Sequence, residues 1–148
     1  MIKLFKKKII AGLERVYHDR DIIVREGDKG SEMYIIKSGS VKVTKKTEKG
    51  KITLTTLSHG DFFGEMALFE QTHRSATVCS IGETRLMVLH AGAFLYRLRQ
   101  DPTLVFEMFQ KMSKTIRRLT EELSRAIDTA KLPSELHEKI SAEAEFTK

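Results

Sequence analysis

The sequence has one cysteine, no tryptophan and no apolar run approaching the length of a membrane span. The lone Cys79 excludes a disulfide framework and any zinc or cluster site built from several thiolates. Following Val78 in the middle of a β-prone run, it reads as a packed small residue and not as a thiol sensor. The five histidines are scattered, with no HxH or HExxH pair, so the pattern gives a metal site no support. No nucleophile stands at a motif spacing from a base, so neither a catalytic centre nor a cofactor is expected. A spanning helix needs about 20 apolar residues. The basic start MIKLFKKKIIAGL leads only into a short, interrupted apolar patch, too broken for a signal peptide. A cytoplasmic protein is expected.

What is abundant is positive charge, a net +6 over 148 residues. Much of it sits in Lys3, Lys6, Lys7 and Lys8 and in the segment KKTEKGK at 45–51. Neither stretch interleaves aromatic residues among the cations, as a surface for single-stranded nucleic acid would. Both read as solvated lysines. The apolar and charged fractions are those of an ordinary globule, and the length suits one domain with a real core.

Three textures follow one another. Ile2, Phe5, Ile9, Leu13 and Val16 recur at spacings of three and four, which predicts an amphipathic helix over 2–16 that docks on its own domain. From 20 to 90 the chain turns to short β-prone runs at a spacing of about ten residues: DIIVREG, MYIIKSG, SVKVTKK, KITLTTLSHG, SATVCSIG and TRLMVLH. Gly27, Gly30, Gly39, Gly50 and Gly60 punctuate them as candidate chain reversals. SVKVTKK and KITLTTL, joined through TEKG, read as a hairpin, with Val41 and Val43 inward and Lys42 and Thr44 outward.

From 91 to 130 the pattern is helical, with Asp101 and Pro102 opening the longest helix. Along it Val105, Phe109, Met112, Ile116, Leu119 and Leu123 alternate spacings of four and three, an a/d seam that predicts a parallel homodimer. Arg117-Arg118-Leu119-Thr120 has the composition of a basophilic kinase site, but inside such a helix it reads as structural. Pro133 closes the helix, and 131–148 is a polar tail.

One stretch, FFGEMALFEQTHRSATV at 62–78, asks for a chemical explanation. A glycine followed by a helix of one or two turns gathers unpaired N–H groups at one spot and favours an anion, phosphate above all. Gly64 permits close approach, and Glu65, Met66 and Ala67 supply N–H donors. Arg74 and Ser75 return on the next strand, where a guanidinium can grip phosphate oxygens in bidentate fashion. Glu65 is wrong for a phosphate but right for a sugar hydroxyl. An acid for a ribose beside an arginine for a phosphate describes a compact nucleotide.

GDKGSEMYIIKSGSVKV at 27–43 and HGDFFGEMALFEQTHRSATV at 59–78 resemble the cyclic nucleotide-binding domain family. Its pattern is a glycine turn, an aromatic-aliphatic strand, FGE-x-AL and an arginine followed by small residues. The likeness covers 5–127 and is strongest to the bacterial catabolite-activator (Crp/Fnr-like) branch, in which the long helix forms a parallel dimer. It implies an α+β fold: an antiparallel β-roll (double-stranded β-helix or jelly roll) flanked by an N-terminal helix and a long C-terminal one. It implies Glu65 on the ribose 2′-hydroxyl, and Arg74 on the cyclic phosphate with Ser75 and the 64–67 backbone. Gly27, Gly39 and Gly60 match turn glycines. His73 stands where many members have proline. Hydroxyls on the long helix meet the base in some members, and Thr120 and Ser124 are the residues here nearest that role.

The expected function is a sensor of cAMP, with cGMP as the second candidate, in which the ligand closes the roll on 104–127 and changes the packing of the long helices. Catabolite activators continue into a helix-turn-helix domain. This sequence ends in its polar tail, so DNA reading by the chain is not expected, and a protein partner is. Two other readings remain: a ligand-independent dimeric docking scaffold with an inherited pocket, and the sensor portion of a larger transcription factor, channel or kinase. Presence of both Glu65 and Arg74 favours a ligand, since burying either head without one is costly.

Overall fold

The computed structural model describes residues 12–129. The strands are β1 Leu13–Tyr17, β2 Ile22–Val24, β3 Glu32–Thr47, β4 Gly50–Ser58, β5 Phe62–Phe63 and β6 Thr77–His90; the helices are α1 Glu65–Glu70, α2 Ala91–Gln100 and α3 Pro102–Thr129. The chain divides after Pro102 into two compact units, each treated by itself below.

The first unit is an antiparallel roll organised on the two longest strands. β3 and β6 pair along most of their length, with β1 on the far side of β6 and β4 on the far side of β3. β2 pairs with β6, and β5 with β3. Met33, Ile36, Val41, Leu86 and Leu89 on this central pair are fully buried. Full burial of such a side chain contributes roughly 1.5–3 kcal/mol, so the hydrophobic stabilisation is concentrated where the strands run longest. Tyr34, Ile36, Val41, Phe63, Val78, Leu86 and Val88 form one cluster.

Gly39 does not reverse the chain. MYIIKSG and SVKVTKK are one strand, bent at register shifts on either side of Ser38. That bend moves the inward set from even positions (Tyr34, Ile36) to odd ones (Val41, Val43), so one strand serves both halves of the roll. Gly39 has φ 81°, and a Cβ there would collide with the Glu83 carbonyl oxygen and lie 2.9 Å from the Thr84 Cα. SATVCSIG and TRLMVLH likewise merge into β6 through Gly82, φ 65°.

A further shift, in the pairing with β4 between Val43 and Thr44, accompanies a Thr44 that is buried instead of outward. Its hydroxyl donates to the Thr77 carbonyl at 3.4 Å, which satisfies the buried group. The β3–β4 hairpin closes through Thr47 and Gly50 as its TEKG segment predicts.

The helix expected over 2–16 is corrected where it can be seen. Leu13–Tyr17 is a strand, paired residue by residue with Leu86, Val88 and their neighbours on β6. The same apolar spacing would suit a helix, but β6 offers an open edge, and the ladder satisfies backbone groups there. Residues 2–11 lie outside the described residues, as does the tail from 130 onward.

In the second unit the described residues are those of α3 from Thr103 on, a helix that Pro102 opens as expected. Phe109, Ile116 and Leu123 are each more than 60% exposed on the single chain, Leu119 is 50% exposed and Met112 36%. Val105 is half-buried. No described helix is long and apolar enough to cross a membrane.

Gly27 provides a control for the bend, because it shares the left-handed φ (86°) yet a Cβ there meets nothing within 4 Å. Gly27→Ala should cost about 1–2 kcal/mol for conformation alone. Gly39→Ala adds the collision with β6 and should lose roughly 1–3 kcal/mol more. Urea unfolding of both variants measures the difference, and equal losses would contradict the close approach.

Candidate functional site

The site grows from the turn before α1. Phe63 is buried and stacks on Tyr34, with ring centroids 4.9 Å apart and planes at 11°. That stack pins the end of β5 to β3. The chain then turns through Gly64, whose φ of 81° is open to glycine at little cost. α1 follows for six residues and stops at Gln71, itself left-handed. Ala67 and Leu68 bury its inner face, while Met66 and Phe69 stay largely exposed. Phe69 meets Phe94 of α2 edge to face at 5.4 Å.

Arg74 is carried back to this turn by the loop before β3. Its N–H donates to the Asp28 carbonyl at 2.8 Å, and its carbonyl accepts from the Gly27 N–H at 2.9 Å. Lys29 and His73 form an isolated antiparallel bridge beside it. His73 thus helps dock this loop.

The arginine side chain is only 7% exposed. Its Nη1 donates to the Glu32 carbonyl at 2.7 Å and to the Gly64 carbonyl at 3.2 Å. Its Cζ lies 5.6 Å from the centroid of the Tyr34 ring, within cation–π range. Tyr34 in turn donates its hydroxyl to the Glu32 carboxylate at 3.2 Å, and burial, ahead of the nearby Glu32 charge, pushes its phenol up to about 12. Arg74 makes no ion pair with any described carboxylate, and the Nε and Nη2 protons are not spent on any described protein acceptor. A buried guanidinium with neutral partners on one edge only is an attractive place for an anion.

Two glycines make room for it. A Cβ on Gly64 would come within 2.6 Å of Nη1. A Cβ on Gly30 would collide with Nε and Cζ and lie 2.6 Å from Nη2. Gly30 has no positive φ; its need is space for the Arg74 side chain.

Glu65 is half-buried at the start of α1. Burial raises its carboxyl above the ordinary value, against the lowering effects of its own backbone N–H and of the Arg74 charge. Ser75 is exposed, its hydroxyl touching only the Met66 sulfur at 3.9 Å, and its carbonyl accepts from Lys45 at 2.6 Å. Lys45 is therefore not simply a solvated lysine.

Gly64, Glu65, Met66, Ala67, Arg74 and Ser75 thus come together within the first unit. Thr120 and Ser124 belong to the second unit and are exposed on α3, with their hydroxyls donating to the carbonyls of Ile116 and Thr120 at 2.8 and 3.0 Å.

Comparison with known proteins gives a consistent picture. The sequence profile of the cyclic nucleotide-binding domain matches residues 14–101. The chain is 41% identical over 96 residues to the cAMP-dependent protein kinase regulatory subunit of Debaryomyces hansenii, covering 60% of this chain and 21% of that protein. It is 45% identical over 74 residues to the cGMP-dependent protein kinase 2 of Homo sapiens, covering 48% of this chain and 10% of that protein. Among solved structures, the catabolite activator protein of Thermus thermophilus superposes with a TM-score of 0.69 at 26% identity, over 84% of this chain and 59% of that one. The chain spans about a fifth of the length of the first kinase subunit. The activator match takes in more of this chain than the kinase matches do.

The arginine cradle predicts a specific coupling. Gly30→Ala should destabilise the protein by roughly 1–3 kcal/mol, the usual cost of overpacking. In an Arg74→Ala background most of that loss should vanish, because the atoms it collides with are gone. Thermal unfolding of the two single variants and the double variant measures the coupling. The same loss in both backgrounds would show that Gly30 does not make room for Arg74.

Proposed function

Because the chain belongs to the cyclic nucleotide-binding domain family, we propose that it is a regulatory sensor of a cyclic nucleotide, cAMP ahead of cGMP. The observation that carries this reading is the buried Arg74, held by two carbonyls and lacking any described carboxylate partner. A cyclic phosphate supplies the missing negative charge, with Arg74, Ser75 and the backbone from Gly64 to Ala67 as its cradle. Glu65 takes the ribose 2′-hydroxyl: its ionised form is disfavoured by burial, and a donated hydroxyl proton offsets that cost.

Thr120 and Ser124 already spend their hydroxyl protons on their own helix. Each offers a ligand acceptor lone pairs, which suit the exocyclic amino group of either purine. The preference for cAMP rests on the similarity to cAMP-dependent kinase subunits over the longer stretch.

The output element in this reading is α3. Its exposed seam of Phe109, Met112, Ile116, Leu119 and Leu123, continued by Val105, has the period of a two-helix coiled coil and suits a second copy of the chain. The ligand biases output only through unequal affinity for two packings of that element. Binding and regulation account for the acid and the arginine without assigning either a catalytic step.

Two variants separate the roles. Arg74→Ala should lose about 2–4 kcal/mol of cyclic nucleotide affinity by calorimetry, as expected for charge-assisted bonds. Glu65→Ala should weaken cAMP while leaving 2′-deoxy-cAMP nearly unchanged. Unaltered affinity in the first variant removes the phosphate assignment, and equal losses for both ligands in the second remove the ribose assignment.

A further inference from the structure

The backbone that follows Arg74 is held by a charged side chain from outside the family motif. Lys45, on β3, donates from Nζ to the Ser75 carbonyl at 2.6 Å. The same ammonium lies 3.4 Å from Oε1 of Glu26, which sits between β2 and β3. Glu26 is itself fixed at both ends. Its Oε2 accepts from the Lys46 N–H at 2.9 Å, and its own N–H donates to the Thr77 hydroxyl at 3.0 Å. The Lys46 N–H bond is the leading cause that holds the Glu26 carboxyl below its usual range, with Lys45 adding to it. The contacts form a chain from Thr77 through Glu26 and Lys45 to Ser75, so residues 75–77 are gripped at both ends.

This grip complements the one on Arg74, whose N–H and carbonyl are tied to Asp28 and Gly27. With the Ser75 carbonyl also engaged, three of the four polar groups of the 74–75 main chain are fixed. Because the peptide is planar and trans, holding the Ser75 carbonyl also sets the direction of the Ala76 N–H, which points the opposite way. Among the described residues the Ser75 hydroxyl has only the Met66 sulfur as a partner, and it is exposed to a ligand. An ammonium-to-carbonyl bond is charge-assisted, and it joins segments 30 residues apart in sequence.

We propose that Lys45, braced by Glu26, is a positioning residue for the anion site: acting through the Ser75 carbonyl, it holds the 74–76 backbone in the conformation that receives the phosphate. It does not touch the ligand. The proposal rests on the cyclic nucleotide reading of the site, and it deepens that reading by adding a residue that the FGE-x-AL and arginine motifs do not contain.

The test is calorimetric titration of the full chain with cAMP for the wild type, Lys45→Met, Lys45→Arg and Glu26→Gln, at low and at high salt, together with the melting temperature of each ligand-free protein. Lys45→Met should bind about tenfold more weakly, the worth of one net charge-assisted hydrogen bond. Lys45→Arg, which keeps a cationic donor, should recover most of the affinity. Glu26→Gln keeps an acceptor for the Lys46 N–H and should show a smaller loss. The deficit in Lys45→Met should persist at high salt, whereas a remote charge effect on an exposed side chain would be screened away. In heteronuclear spectra of the ligand-free protein, Lys45→Met should shift the Ala76 amide.

Wild-type affinity in Lys45→Met, or a deficit abolished by salt, overturns the proposal. So does a loss of melting temperature without loss of affinity. If the wild type itself binds no cyclic nucleotide, the ligand reading falls, and the Ala76 amide then decides the clamp alone: no shift there overturns it too.

Discussion

The structure turns on burying one guanidinium that makes no ion pair with any described carboxylate. A lone cation in a protein interior is unfavourable, and the surroundings of Arg74 are those that make it tolerable. Two main-chain carbonyls take one edge, an aromatic ring lies within cation–π range, and two glycines leave the volume empty. Each provision comes from a different part of the chain: Gly30 from the loop before β3, Glu32 and Tyr34 from β3, Gly64 from the turn before α1. The roll brings these segments to one place, and its long central strands hold them there.

That constraint orders the rest of the first unit. The 27–30 loop must stay docked for Arg74 to remain in place, and the backbone bonds to Gly27 and Asp28 dock it. The turn at Gly64 must keep its carbonyl aimed at Nη1, and the Tyr34–Phe63 stack anchors that turn. The arrangement satisfies one edge of the guanidinium and leaves the remaining donors without a described protein acceptor. An anion that pairs with those donors binds the folded protein and not the unfolded one, which is the thermodynamic basis for a sensor. Glu65 adds to this, since its burial also disfavours the charged form until a donor arrives.

The clustering of the candidate site residues was legible in the sequence because they are neighbours in the chain. Gly64, Glu65, Ala67, Arg74 and Ser75 fall within a dozen residues, and residue types at that spacing carry the phosphate and ribose logic directly. The hairpin through TEKG and the helix opened by Pro102 were legible for the same reason. What escaped was set by partners distant in the chain. Leu13–Tyr17 fit a helical period, but β6 captures them as a strand. Gly39 looks like a reversal, yet it is a bend whose necessity comes from Glu83 and Thr84 across the ladder. Gly30 could be read as a glycine of close approach, but only the fold shows that Arg74 is what approaches it. Lys45 sits in a lysine-rich hairpin whose composition says solvent, and only the fold places the Ser75 carbonyl within its reach.

The central claim is that Arg74 waits for the phosphate of a cyclic nucleotide. The most direct measurement is calorimetric titration of the nucleotide-free chain with cAMP, cGMP and 5′-AMP. Micromolar or tighter binding of cAMP, with cGMP weaker and 5′-AMP weaker still, is the predicted result. A folded protein that binds none of them, or that binds 5′-AMP as well as cAMP, contradicts the account and turns attention to the exposed seam of α3 as a ligand-independent docking surface.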